Sequence, residues 1–150
     1  MGGRPLATSA VAAAAVAARN PDDYSVVAFG TDAIVVKSQS GQKAAEHVVT
    51  DLLTLRGFGT TDVVLALRTA AVQLGRSRAG RRITLLLSDC RATAPGDLVA
   101  AASGLDELVI IAPAGDSEEA EALARATGAS IVMVEGPADV PRAFRSAFAS

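Results

Sequence analysis

Two runs in this chain have almost no polar interruption: Ile83-Thr84-Leu85-Leu86-Leu87 and Leu108-Val109-Ile110-Ile111-Ala112. A strand with one face in water alternates apolar and polar residues. A short strand that is apolar throughout has both faces covered, which is the environment of a parallel sheet between helical layers. Ser130-Ile131-Val132-Met133-Val134 reads as a third such strand. Segments of helical period lie between these runs, so strands alternate with helices. That order predicts an open, mostly parallel, doubly wound α/β sheet with helices on both faces. A length of 150 residues has room for one domain, so residues 1–150 are read as a single unit without linker, repeat or low-complexity tail.

The remaining elements follow from local signals. Residues 24–29 and 33–36 are β-branched runs on either side of Gly30-Thr31-Asp32, and predict a hairpin. Residues 42–55 place Ala45, Val48, Val49, Leu52 and Leu55 at helical spacing. Residues 62–76 do the same with Val64, Leu67, Ala71 and Leu74. Residues 97–103 predict a short helix. Asp116 and Glu119 suggest a capping box for a helix that carries Leu123 and stops at Gly128. Asp139 is expected to cap a last helix whose Val140, Phe144 and Phe148 share a face. The Ala-rich run 6–18 resembles the apolar part of a signal peptide. However, it has only Arg4 before it and Arg19-Asn20-Pro21-Asp22-Asp23 after it, so a buried helix ending before Pro21 fits better. It is also too short and too rich in Ala to span a bilayer, and the expected compartment is the cytoplasm.

Composition removes several function classes. Half of the residues are hydrophobic and mean hydropathy is +0.34, which excludes disorder. The net charge is −2, so no global field attracts nucleic acid. Arg76, Arg78, Arg81 and Arg82 cluster at a helix end without interleaved aromatics, where they complement the helix dipole. Cys90 and His47, the single residues of their types, leave no intrachain disulfide and no multi-His metal site. Cys90 reads as a small filler after a strand and His47 as an exposed helical residue. The chain has no Gly-Lys-Ser/Thr and no Gly-x-Ser-x-Gly, which removes a P-loop and a nucleophile elbow. What remains is oxygen chemistry, with a small α/β enzyme kept as an alternative.

Ligands of open α/β sheets bind at the carboxyl ends of strands. Two loops qualify. Gly57-Phe58-Gly59-Thr60-Thr61-Asp62 opens a helix and Ser88-Asp89-Cys90 follows a strand. Hydroxyls and carboxylates there suit a hard cation such as Mg²⁺, while Thr and Asp at helix starts equally serve as caps. An alternative is a small α/β module that cradles an anion or nucleotide in the Gly57–Thr61 loop.

Three segments together resemble a von Willebrand factor type A domain. They are Tyr24-Ser25-Val26-Val27-Ala28-Phe29 with the 33–36 strand, then Gly59-Thr60-Thr61-Asp62 leading into Ala66-Leu67, then Leu85-Leu86-Leu87-Ser88-Asp89. The similarity is greatest to bacterial members of the chelatase-associated and MoxR-associated type. It implies a non-enzymatic protein-interaction module that binds a partner carboxylate through Mg²⁺ at a metal-ion-dependent adhesion site. Thr61 matches the family's ligand Thr and Asp89 its ligand Asp, with Asp62 and Ser88 in support. The implied partner is an AAA+ ATPase or a chelatase subunit, with neither nucleic acid nor membrane involved.

The family's Asp-x-Ser-x-Ser motif is absent. Members commonly continue from it with Met-x-Gly into the first helix, and this chain reads Met1-Gly2-Gly3-Arg4-Pro5-Leu6. The resemblance therefore implies that the central first strand and its ligands are missing, through truncation or degeneration. Two consequences are expected. First, the strands 24–29 and 83–87 are left with unpaired edges, at about 1–3 kcal/mol per buried unsatisfied group. The chain is then marginal, aggregation-prone, or closes the gap or borrows a strand. Second, with only Thr61 and Asp89 as metal ligands, residues 1–150 hold Mg²⁺ weakly or not at all, and a full-length form is expected to hold it.

Overall fold

The structure, a computed structural model, describes residues 4–19, 21–29, 33–54, 62–77, 82–88 and 97–147. Helix α1 (Arg4–Arg19) carries the Ala-rich run and ends just ahead of Pro21. Its Ala10, Ala12, Ala13 and Ala17 are buried, and their small side chains let neighbouring helices approach closely. It packs against α2 (Ala45–Thr54) and against α6 (Val140–Ala147).

Strands β1 (Val26–Phe29) and β2 (Ala33–Lys37) form the expected antiparallel pair, in register from Phe29 opposite Ala33 to Val26 opposite Lys37, with an irregularity between Val26 and Val27. Strands β3 (Ile83–Leu87), β4 (Glu107–Pro113) and β5 (Ser130–Val134) form the expected parallel sheet. Ile83 lies opposite Glu107 and Leu87 opposite Ile111, while Val109 lies opposite Ser130. The fold is α/β and doubly wound, but its strands fall into two sheets, in the orders β1-β2 and β3-β4-β5. Among the described residues no ladder joins β1 to β3.

On one face α3 (Val63–Leu74), α4 (Leu98–Ser103) and α5 (Glu118–Thr127) lie over a core of Val63, Val64, Leu67, Leu86, Ile110 and Leu123, against which Phe29 of β1 also packs. On the other face the core is split. Ala13, Val36, Val48 and Leu52 gather with Val26 and Ala28, while Ile111, Val134 and Ala143 gather separately with Leu87 and Val132.

Several expectations need correction. The run 83–87 was expected to be covered on both faces, yet only Leu86 in β3 is buried, whereas every residue of β4 from Leu108 to Ala112 is. The difference is one of position: β4 lies between two strands, and β3 is paired on one side only. Asp116 does not cap α5. Ser117 stands at the N-cap without a side-chain cap bond, and its hydroxyl donates instead to Glu121 Oε2 at 3.4 Å. Asp139 does not cap α6. It ends a 3-10 turn, Pro137–Asp139, and accepts from the Glu135 amide at 2.7 Å, thereby fixing the turn that leads into the helix. Gly128 does end α5, in the left-handed conformation at φ 74°. Leu55 and Phe148 lie outside the described residues.

Candidate functional site

The two loops singled out from the sequence leave the fold at the carboxyl end of β3 and at the start of α3. Asp62 is the N-cap of α3, and its Oδ1 accepts from the Leu65 amide at 2.9 Å. This satisfies one of the amides that a helix start leaves without an intrahelical partner. It also puts a carboxylate where an anion cradle would need free donors, which speaks against phosphate binding at this helix. Ser88 follows β3 directly, is half-buried, and extends the ladder by donating its amide to the Ile111 carbonyl at 3.1 Å. Thr61 and Asp89, the proposed metal ligands, lie outside the described residues, as do Cys90 and the Gly57–Thr61 loop. His47 is exposed on α2.

The described residues do not by themselves fit a Mg²⁺ site. The Asp62 carboxylate is committed to a backbone amide, and no group of three or more His, Cys, Asp or Glu side chains able to hold a metal occurs among the described residues. A hard cation needs several oxygen donors in near-octahedral array, so no binding step can be built through the metal from these residues.

The sequence reading missed a buried polar cluster at the opposite, amino-terminal end of the parallel strands. Lys37 closes the apolar β2 and is buried. Its ammonium donates to the carbonyls of Tyr24 at 2.9 Å, Ser38 at 2.8 Å and Gly41 at 2.9 Å, and lies 4.3 Å from the centre of the Tyr24 ring. Burial lowers the Lys37 pKa from its usual value. Asp23 accepts from Gln39 Nε2 at 2.9 Å and from Ser77 Oγ at 2.6 Å. Those two bonds hold its pKa below the usual carboxylate value. The Gln39 amide donates to Gln73 Oε1 at 2.7 Å, and Arg82 Nη2 donates to the Ser77 carbonyl at 3.0 Å. A charged residue ending an otherwise apolar strand was the one signal in the sequence. The partners it found are distant in the chain.

A depression of about 530 Å³ beside this cluster is lined in part by Lys37, Lys43, Gln73 and Arg76. Its cationic lining is largely spoken for. Lys37 is spent on carbonyls, and Lys43 donates to the Val36 carbonyl and pairs with Asp51. The cluster therefore reads as a structural tie between segments.

The arrangement is that of a doubly wound α/β domain. A solved structure described as von Willebrand factor type A from Catenulispora acidiphila superposes with a TM-score of 0.67 at 18% identity, covering 94% of this chain and 36% of that one. The likeness is one of fold, and this chain spans little more than a third of the length of that neighbour. No family model matches the sequence, and no curated protein matches it. No described helix is long and apolar enough to cross a membrane.

Proposed function

We propose that this chain is a non-enzymatic protein-interaction module of von Willebrand factor type A character, acting in the cytoplasm of a bacterium. The observation that carries the reading is the fold likeness over nearly the whole chain. The placement of Asp62 and Ser88 is compatible with it. Asp62 begins α3, so Thr61 immediately precedes that helix. Ser88 follows β3, and Asp89 is the next residue in the sequence. The carboxyl end of β3 is a position where open α/β sheets present ligand-binding groups.

In this reading Thr61 and Asp89 are the oxygen donors of a Mg²⁺-dependent contact with a carboxylate of a protein partner, with Asp62 and Ser88 as supports. The site is completed by donors that residues 1–150 do not supply. The partner class is an AAA+ ATPase or a chelatase subunit. Co-precipitation of the longest natural polypeptide containing these residues with a candidate ATPase, in Mg²⁺ and again in EDTA, tests it. Recovery that falls in EDTA and in both Thr61→Ala and Asp89→Ala is the expected result. Recovery indifferent to all of these removes the metal-dependent reading and leaves a structural domain.

A further inference from the structure

We propose that the depression beside the polar cluster is a binding site for a small organic anion, with its charged head against Arg76 and Gln73 and its apolar part against Val35 and Val36. The cluster ties segments together, and the depression offers the groups that the tie leaves over. Gln73 shows this division within one side chain. It is only 4% exposed. Its Oε1 accepts from the Gln39 amide at 2.7 Å. Its Nε2 donates to no described residue, yet it is not sealed from solvent. Gln73 lines the depression, so that donor meets solvent there. Arg76 stands three residues on, just past the end of α3. It is exposed and lines the same depression, and no described residue pairs with its guanidinium.

The charges around these two donors have one sign. Lys37, Lys43 and Arg76 line the depression, and among the described residues no Asp or Glu does. Lys37 donates to neutral carbonyls, which satisfy its hydrogen bonds and leave its positive charge in place. Asp23, whose charge bears on Lys37, and Asp51, which pairs with Lys43, are both outside the lining. An entering anion therefore meets two committed cations, one free guanidinium and one free amide. A free guanidinium holds a carboxylate or a phosphate through two parallel hydrogen bonds.

The wall and the size define the rest of the ligand. Val35 is 39% exposed on β2 and lines the depression together with Val36. The volume of about 530 Å³ falls within the range of roughly 300–1,000 Å³ typical of small-molecule sites, which combine apolar walls with a few placed polar groups. The depression lies at the end of the fold opposite the start of α3 and the carboxyl end of β3, so it stands apart from the Mg²⁺ reading.

The test is a titration of the isotope-labelled chain in EDTA at low ionic strength, with phenylphosphate, benzoate and the neutral benzamide as probes. EDTA removes any metal-dependent contact, so failure here and failure of the adhesion-site reading are separate results. The expected outcome is saturable movement of the Gln73 side-chain amide signals with phenylphosphate or benzoate and none with benzamide. The tighter of the two anions identifies the headgroup. Arg76→Gln, at an exposed position, should weaken binding by roughly tenfold or more. Gln73→Glu keeps an acceptor for the Gln39 amide and puts negative charge where the donor was, so it should abolish binding. The proposal is overturned if benzamide acts as benzoate does, or if affinity is unchanged in Arg76→Gln. Inorganic phosphate binding as tightly as phenylphosphate also overturns it, because Val35 and Val36 then contribute nothing. Should Gln73→Glu fail to fold, melting of the parent chain and of Arg76→Gln provides the second measure. A saturable rise in Tm with the anion that shrinks in Arg76→Gln supports the site, and an equal rise in both refutes it.

Discussion

At the scale of single residues, the energetics concentrate on groups that look ordinary in the sequence. Lys37 is the clearest. Its ammonium satisfies three carbonyls, two of them in the loop after β2. Removing one partner from buried acceptors costs about 1–3 kcal/mol for each that is left unsatisfied. Lys37→Ala should therefore destabilise the fold by roughly 3 kcal/mol or more, read as a loss in the urea midpoint. Asp23 supplies a pH signature. Its folded pKa is depressed below the usual value of 3.8 by the bonds from Gln39 and Ser77. Its contribution is present above that value and lost as pH falls through the folded pKa. Stability should thus decline on acidification below about pH 4, and the Asp23→Asn variant should show a shallower decline. Asp62→Ala should cost about 0.5–2 kcal/mol through loss of the α3 cap alone. Thermal melts resolve that change whether or not the residue also serves a partner.

At the scale of elements, the strands and helices were legible because two periods decide them. The continuous apolar runs of β3 and β4 indicated a parallel sheet, and both are there. The hairpin of β1 and β2 followed from β-branched runs around a turn. The helix starts were less legible. Asp116 and Asp139 both have cap chemistry, but the N-cap of α5 falls one residue after Asp116, at Ser117, and Asp139 turns back to Glu135. A cap signal fixes the neighbourhood of a helix start, and the geometry of the preceding turn chooses the residue. Burial within a strand was not legible either. Ile83-Thr84-Leu85-Leu86-Leu87 reads like β4, and what separates them is how many neighbours each strand has in space. The polar cluster of Asp23, Gln39, Gln73 and Ser77 was not legible for the same reason, since its hydrogen-bonded pairs are 16 to 54 residues apart. At the end of α5, Gly128 holds φ 74° with open space where a Cβ would stand. Gly128→Ala should cost about 1–2 kcal/mol from backbone strain without any clash, measured by chemical denaturation.

At the scale of the whole molecule, the chain has the layering of a doubly wound domain and its strands in two separate sheets. Core substitutions test how the halves are coupled. Ile110 is fully buried in β4 and Val48 almost fully in α2. Ile110→Ala should destabilise by about 2–5 kcal/mol, acting on the three-stranded half. If helices α1 and α3 bind the halves into one cooperative unit, the β1-β2 half melts with it, and fluorescence of Tyr24 and circular dichroism give coincident transitions. Separate transitions would identify two folding units. Titration calorimetry of residues 1–150 with Mg²⁺ should show no micromolar binding. Micromolar affinity abolished by Thr61→Ala would mean that these residues complete the metal site unaided.

The hydrogen bonds of Asp23, Gln39, Gln73, Ser77 and Arg82 cross from one sheet's surroundings to the other's at a single end of the strands. The molecule is pinned there by polar bonds. At the far end of β1 the join is apolar instead, where Phe29 packs against the core that holds Leu86.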